Sequence, residues 1–231
     1  MPLKAAIRYC ASKLLAFQQS ESKFVWILGA VSLLILLNPV VPNQGWGTLV
    51  FHVLMFFVVL SGILAASDER QIIRQITALG LFVLVLDWIQ SLAQDHRPHL
   101  AMLVYALYAV FVGFITVAII LEVVKSPRVT ANIICGAVAG YLLIGLSGMF
   151  VALLIEGLHP GAFVSNGEML SRDGLGDALL YYSMVSLSTI GYGDITPAAP
   201  MARSLALALG LLGQIYLTVL VAMLVGKFLK D

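Results

Sequence analysis

Two glycines near the C-terminal end of this 231-residue chain have a spacing that suits the binding of a metal cation. Gly191 and Gly193 lie in the run STIGYGD, residues 188–194. Glycine adopts backbone angles that most L-residues avoid. A glycine at every second residue therefore lets the backbone alternate between two conformations, so that successive carbonyl groups point at one axis. Such carbonyls replace the water around a cation without burying a fixed charge. The run therefore predicts a backbone site for a dehydrated cation.

The composition predicts that a membrane surrounds this run. Hydrophobic residues make up 61% of the chain and charged residues 11%, whereas soluble domains have about 45–50% apolar and about 25% charged residues. Such a chain leaves no room for a sizeable soluble catalytic domain. Its 13 Lys and Arg nearly balance its 12 Asp and Glu, so a nucleic-acid partner is not expected.

Long apolar runs separated by turns or charges predict six transmembrane helices. They cover residues 24–41, 47–66, 75–93, 100–124, 130–156 and 201–229. The polar, glycine-rich residues 158–176 predict a loop between the last two spans. The amphipathic segment 177–188 reaches only about 18 Å as a helix. It is too short to cross a bilayer, so we expect a re-entrant helix that enters and leaves on one side.

The distribution of Lys and Arg predicts the orientation of the chain. With a cytosolic N-terminus, the basic residues on the cytosolic side are Lys4, Arg8, Lys13, Lys23, Arg70, Arg74, Lys125, Arg128, Lys227 and Lys230. Those on the other side are Arg97, Arg172 and Arg203. We therefore expect a multi-pass protein of the cell membrane with both termini in the cytosol. The compact chain is typical of prokaryotes.

The run STIGYGD resembles the selectivity filter of tetrameric potassium channels. The order of helix, re-entrant helix, filter and helix also resembles their pore domain, over roughly residues 130–229. The four helices before it resemble the voltage-sensor-like domain of six-helix channels in number and topology only. We thus expect an all-α membrane protein with six transmembrane helices and one re-entrant pore helix. Its four-helix domain would cover residues 24–125 and its two-helix pore domain residues 126–231, with the inner helix at 201–229.

The leader, residues 1–23, places apolar and basic residues at roughly helical spacing. This pattern predicts a cytosolic helix that lies in the membrane interface. A solvated tail is the alternative.

The resemblance implies roles for the filter residues 189–194. The carbonyls of Thr189, Ile190, Gly191 and Tyr192 would bind K⁺, the Thr189 hydroxyl would add an inner site, and Gly193 would complete the backbone alternation. One chain supplies one wall of such a site, so a homotetramer with fourfold symmetry is expected. K⁺, membrane lipid and three further copies of the chain are then the partners. Neither a cofactor nor an enzymatic activity is expected.

Residues around the filter are expected to support it. Asp194 would lie at the outer mouth, where four carboxylates concentrate cations. Tyr192 would point away from the ions and pack against the re-entrant helix. The hydroxyls of Tyr181 and Tyr182 on that helix would bond to Asp194 or to the filter backbone, unless these side chains are plain interfacial anchors. Some relatives have a carboxylate where this chain has Val185, so filter gating by a carboxyl pair is in doubt.

Gly213 and Gln214 lie within the otherwise apolar last span. By its position relative to the filter, Gly213 matches the hinge glycine of the family, or it equally permits close helix packing. A glutamine avoids lipid, so Gln214 is expected to face the cavity or a neighbouring helix. In the fifth span, Gly136 and Gly140 form a GxxxG pattern that predicts a packing face.

The fourth span contains no Lys or Arg, and its only charged residue is Glu122. A voltage sensor needs several charges there, because moving one charge across 100 mV yields only about 2.3 kcal/mol. The sequence therefore predicts weak or absent voltage dependence. The chain continues for only a few residues past the last helix, which predicts no attached cytosolic ligand-binding domain.

Asp87 lies inside the third span, and an intramembrane carboxylate is a functional candidate. His52 in the second span and Tyr105 and Tyr108 in the fourth are expected at comparable depth. We expect these four residues to form a hydrogen-bonded cluster. The cluster is either a satisfied structural group or one whose protonation tunes the domain.

Other function classes fit parts of the sequence. Residues 145–148, GLSG, match the GxSG motif of rhomboid-type intramembrane serine proteases. Ser147 would then need a histidine on the last core helix as its base, and no histidine follows His159. A potassium transporter subunit would repeat its filter within one chain. A nonselective cation channel is the nearer alternative, expected where the filter tyrosine is lost, but Tyr192 is present.

Overall fold

The computed structural model describes residues 23–41, 46–65, 70–92 and 98–228. Most of the predicted interfacial leader, with Lys4, Arg8 and Lys13, lies outside these residues. So do Arg97 and Lys230.

The described residues form seven helices and three short strands. The helices are α1 (Lys23–Leu37), α2 (Trp46–Ala65), α3 (Arg70–Leu92), α4 (Pro98–Lys125), α5 (Ala131–Leu158), α6 (Leu175–Leu187) and α7 (Pro200–Phe228). The strands are β1 (Phe163–Ser165), β2 (Glu168–Met169) and β3 (Ile195–Pro197). A helix lies at each of the six predicted spans, and α6 lies at the predicted re-entrant segment.

Three of the described helical stretches are long and apolar enough to cross a membrane, by length and composition. They are His99–Lys125, Ala131–Leu158 and Pro200–Lys227. Three shorter apolar helical stretches are Lys23–Leu37, Leu49–Ile63 and Thr77–Gln90. The predicted class of a helical membrane protein is confirmed. Helix α1 ends before the predicted residue 41, because a proline at position 39 disfavours helical angles in the residue before it.

Helix α1 packs directly against the outer pore helix α5, as α4 also does. Its buried stripe has helical spacing and consists of Phe24, Ile27, Val31 and Leu34. The Phe24 ring lies over Gly136, where an added Cβ would come within 2.9 Å of ring atoms. At the other glycine of the GxxxG pattern, a Cβ on Gly140 would approach the Tyr216 hydroxyl to 2.8 Å. Both glycines therefore lie in close contacts with bulky side chains of other helices.

Side-chain bonds connect α1 to the pore segment at both of its ends. At its start, the backbone N–H of Phe24 donates to Asn132 Oδ1 on α5 at 3.0 Å. Just after its end, Asn38 Nδ2 donates to Asp177 Oδ1, in the first turn of α6, at 2.5 Å. The first helix therefore runs from the start of α5 to the start of α6.

The ends of three helices, α1, α4 and α7, meet at the side of the protein away from the filter. Lys23 at the start of α1 forms an ion pair with Glu122 near the end of α4. Lys227 Nζ near the end of α7 donates to the Val124 and Ser126 carbonyls at 2.8 and 2.6 Å. These contacts group Lys23 and Lys227 at one face, which agrees with the sequence-based assignment of both to one side of the membrane.

A small antiparallel sheet lies where only a loop was predicted. Its strand order is β2-β1-β3. The β1–β2 turn consists of Asn166 and Gly167, which have φ values of 50° and 85°. Positive φ at both positions is the geometry of a tight hairpin turn, and Asn-Gly is its strongest sequence signal. Strand β3 directly follows residue 194 and pairs with β1. The loop before α6 is thereby connected to the outer end of the filter run.

Candidate ion-conduction site

Every second residue of the filter, from Thr189 to Gly193, has a positive φ angle. Thr189, Gly191 and Gly193 have φ values of 59°, 57° and 80°. The sequence suggested such angles for the two glycines, and the structure extends the pattern to Thr189. A left-handed conformation costs a residue with a Cβ atom roughly 1–2 kcal/mol, so the surrounding structure must hold Thr189 in place.

The carbonyl groups at the end of α6 hold the first part of the filter. The Val185 carbonyl accepts hydrogen bonds from the backbone N–H groups of Ile190 at 3.1 Å and Gly191 at 3.4 Å. The Ser186 carbonyl accepts from the Thr189 N–H at 3.1 Å. These carbonyls are among the last of the helix, which have no partner within the helix itself. Val185 therefore supports the filter through its backbone carbonyl. The identity of its side chain gives no sign of this contact.

The two tyrosines of α6 have different environments. The Tyr181 hydroxyl donates a hydrogen bond to the Asp194 carboxylate, and this bond holds the pKa of Asp194 below its ordinary value. Tyr182 is buried, and its ring meets the Phe163 ring of β1 edge-on at a centroid distance of 4.9 Å. Tyr181 therefore supports the carboxylate at the outer mouth, whereas Tyr182 packs α6 against the outer sheet.

A buried carboxylate that the sequence analysis overlooked fixes the outer sheet. Glu156, near the end of α5, is 8% exposed and accepts from the N–H groups of Gly161 at 2.6 Å and Phe163 at 2.9 Å. The Ala162 carbonyl in turn accepts from Ala198 N–H at 2.8 Å, just after β3. An acidic residue near the end of an apolar span was the available sequence signal for this role.

The inner helix α7 contacts the inner end of the filter through Gly213 and Gln214. A Cβ added at Gly213 would collide with the carbonyl of Leu187 on α6. Gln214 Nε2 donates to Thr189 Oγ1 at 3.1 Å. One turn further, the Tyr216 hydroxyl donates to the Ala137 carbonyl of α5 at 2.5 Å. This part of α7 is therefore held by contacts to α5, α6 and the filter at once.

The filter lies on the surface of the single chain. Ile190 is 55% exposed and Tyr192 is 70% exposed. Tyr192 was expected to pack against the re-entrant helix, but within one chain α6 covers little of it. The contacts that would bury this side chain are not made by the described residues of the same chain.

Comparison with known proteins identifies this part of the chain. Residues 141–230, which run from α5 through the filter to the end of α7, match the family model described as Ion channel. A curated protein from Oryza sativa subsp. japonica, described as Two pore potassium channel c, is 37% identical over 89 residues. The matched segment is thus similar to ion channels, among them a potassium channel. The alignment covers 38% of this chain and 17% of the length of the relative. No solved structure matches the chain.

The similarity to ion channels favours a channel over the protease hypothesis. The GxSG motif instead forms a contact between α5 and the pore helix α6. Ser147 Oγ donates to the Leu143 carbonyl of its own helix at 2.9 Å. The Gly145 carbonyl accepts from Ser183 Oγ of α6 at 2.6 Å. The serine is thus bonded within its helix, and the first glycine of the motif lets α6 approach.

The carboxylate predicted inside the third span, Asp87, lies among α2, α3 and α4. Asp87 Oδ2 is 3.2 Å from His52 Nε2 and accepts from the Tyr108 hydroxyl at 3.0 Å. Tyr105 lies within electrostatic range of the same carboxylate. The Tyr108 ring stacks on Phe150 of α5 with centroids 4.8 Å apart. The structure therefore brings the four predicted residues together and connects them to the pore segment through one aromatic pair.

Proposed function

We propose that four copies of this chain form a pore that conducts K⁺ passively and selectively across a cell membrane. The observation that carries the proposal is the filter run, whose backbone alternates in hand and lies exposed on a single chain. Irregular backbone at membrane depth cannot face lipid, because its polar groups would have no partners there. It must be buried in protein or line a water-filled path, and further copies of the chain complete that path.

Selectivity for K⁺ follows from the chemistry of the run. Its ligands would be the carbonyls of residues 189–192 and the Thr189 hydroxyl, which replace the hydration shell of the ion. The run contains no charged side chain before Asp194. The hydrogen bond from Tyr181 favours the ionised form of this carboxylate, which would attract cations to the outer mouth. The retained Tyr192 favours a selective pore over a nonselective one.

The four front helices are proposed to support the pore without sensing voltage. Helix α4 has no Lys or Arg between residues 100 and 124. Its one acidic residue there, Glu122, is paired with Lys23 on α1. A change in membrane potential therefore moves little net charge in this helix. We infer an open or leak-like pore with both chain ends in the cytosol, in the cell membrane of a prokaryote.

The test is ion flux into liposomes that contain the purified protein. We expect K⁺ to enter much faster than Na⁺, at a rate that an imposed membrane potential changes only through the driving force. Equal fluxes would establish a nonselective pore instead, and flux of neither ion would contradict the channel itself. The mass of the assembly in the same preparation should correspond to four chains, and any other number would contradict the filter geometry.

A pair of glycine substitutions provides the matched control for this test. Gly191 has open space around its Cα but a φ of +57°, so Gly191→Ala is strained only through the backbone. Gly29 on α1 also has open space and no unusual backbone angle. We expect Gly191→Ala to lose selective K⁺ flux and Gly29→Ala to keep it. Loss in both variants would mean that the flux reports general folding and not the filter.

A further inference from the structure

We propose that Gln214 weakens cation binding at the innermost site of the filter and thereby sets how fast K⁺ passes between the cavity and the filter. This inference rests on the proposed function. It starts from one contact, in which Gln214 Nε2 donates to Thr189 Oγ1 at 3.1 Å. Both residues are exposed on the single chain, as expected for side chains that face a central water-filled cavity.

The neighbours of Gln214 hold its backbone in place. Gly213 lies against the Leu187 carbonyl so closely that no Cβ fits. On the other side of α7, the Tyr216 hydroxyl is bonded to the Ala137 carbonyl. These contacts fix the height and the rotation of α7 within one turn. The glutamine side chain therefore starts from a fixed backbone position beside the filter threonine.

The bond changes what the Thr189 hydroxyl offers to a cation. A hydroxyl oxygen has two lone pairs and one hydrogen. The amide N–H of Gln214 uses one lone pair, so only the other is left for an ion. The bond therefore reduces the attraction between the innermost site and a cation.

In a fourfold assembly, a ring of four amides would act on this site together. Conduction needs each site to bind strongly enough for ions to enter and weakly enough for them to leave. The innermost site exchanges ions with the cavity, so its strength limits that exchange. Gln214 is therefore a residue that tunes the affinity of the site and does not merely fill space between α7 and the filter.

The test is inhibition of K⁺ flux by Ba²⁺, a divalent cation of nearly the same size as K⁺. In liposomes, we expect Gln214→Leu to lower the Ba²⁺ concentration that halves the flux by about two- to tenfold, the range expected for losing one hydrogen bond. Gln214→Asn should act in the same direction, because its shorter side chain does not reach Thr189. Ile215→Leu is the matched control, since it places leucine at the next residue, which is 58% exposed, and should leave the Ba²⁺ response unchanged.

The same substitution in a Thr189→Ala protein distinguishes an effect of Gln214 on the ion site from a structural role of Gln214. In Thr189→Ala the hydroxyl is gone, so adding Gln214→Leu should no longer change the Ba²⁺ response. Unchanged or weaker Ba²⁺ inhibition in both Gln214 variants, with wild-type flux intact, would overturn the inference and leave the proposed function standing. If the wild-type protein carries no K⁺ flux, the proposed function itself fails, and this result is recognised before any variant is measured.

Discussion

The front helices α1 to α4 and the pore segment α5 to α7 differ in how far their polar groups find partners within a single chain. In the front part, Asp87 has His52 and Tyr108 as partners within the chain, and Glu122 pairs with Lys23. In the pore part, the filter is exposed, and only 11% of the most apolar stretch of α7 is buried, against 61% for α5. These carboxylates of the front part are therefore paired within one chain, whereas the filter is left for the further copies that we propose.

This difference shows which exposed surfaces of a membrane protein indicate that another protein chain covers them. Exposed apolar side chains on α7 would be equally stable against lipid or against another copy of the helix. Exposed polar backbone has no such freedom, because lipid offers it no hydrogen-bond partner. The filter run, and not the bare apolar face of α7, is therefore the feature on which the proposed assembly rests.

The largest expected effect comes from placing a side chain at the contact between α7 and α6. In Gly213→Ala the new Cβ would collide with the Leu187 carbonyl, and a backbone group cannot move aside cheaply. Overpacking of this kind costs about 1–3 kcal/mol or more. We expect loss of K⁺ flux and of the assembled form, measured by liposome flux and by the mass of the complex.

Gly210→Ala is the matched control on the same helix. A Cβ at Gly210 would have the Ser186 carbonyl 3.9 Å away, which is ordinary van der Waals contact. This variant should assemble and conduct like the wild type. Normal flux in Gly213→Ala would instead mean that α7 lies further from the filter in the assembly, and the pore part would then be less constrained than we argue.

The next effect concerns the outer sheet that joins the loop before α6 to the end of the filter. Glu156→Ala leaves the buried N–H groups of Gly161 and Phe163 without an acceptor, at about 1–3 kcal/mol for each. We expect a lower thermal midpoint and a loss of selectivity for K⁺ over Na⁺. Glu156→Gln should lie between Glu156→Ala and the wild type, since one amide oxygen remains as an acceptor.

Glu168→Ala serves as the comparison, because Glu168 is an exposed residue of β2. Its removal should change neither the thermal midpoint nor the selectivity. If Glu156→Ala lowers the thermal midpoint but keeps full selectivity, the outer sheet stabilises the chain without shaping the filter.

A smaller effect is expected from the cluster in the front part. Asp87→Asn removes the charge that His52 and Tyr108 share, and Tyr108→Phe removes one donor to it. We expect a loss of stability of about 1–3 kcal/mol, with the pH dependence of K⁺ flux unchanged, because His52 and Tyr108, the partners of Asp87, both lie in the front part. A changed pH response in both variants would show that protonation of the cluster reaches the pore, and the contrast between the two parts would fail.

Sequence reasoning predicted the helices and the filter better than the contacts between them. Apolar runs and the glycine spacing are local signals, so α1 to α7 and the filter could be predicted closely. The outer sheet was overlooked although Asn166 and Gly167 signal a hairpin, because the strands beside them are only two or three residues long. The contact of Gly213 depends on how α7 packs on α6, and the contacts of Glu156 depend on how the loop after α5 folds back. No simple pattern of residue types encodes either of them.

The smallest expected effect concerns the carboxylate at the outer mouth. The hydrogen bond from Tyr181 holds the pKa of Asp194 below its ordinary value of about 3.9. The carboxylate therefore stays ionised until the pH falls below that ordinary value. In Tyr181→Phe the bond is lost, and the pKa of Asp194 rises. Acid on the outer side should then reduce K⁺ flux at a higher pH than in the wild type, which a series of flux measurements against outer pH would detect.

Tyr182→Phe is the matched control, because Tyr182 packs against Phe163 and not against Asp194. Its pH midpoint should equal that of the wild type. Equal midpoints in Tyr181→Phe and the wild type would mean that neighbouring chains supply Asp194 with other donors in the assembly. Even the outer mouth would then depend on the copies that complete the pore, as we infer for the filter itself.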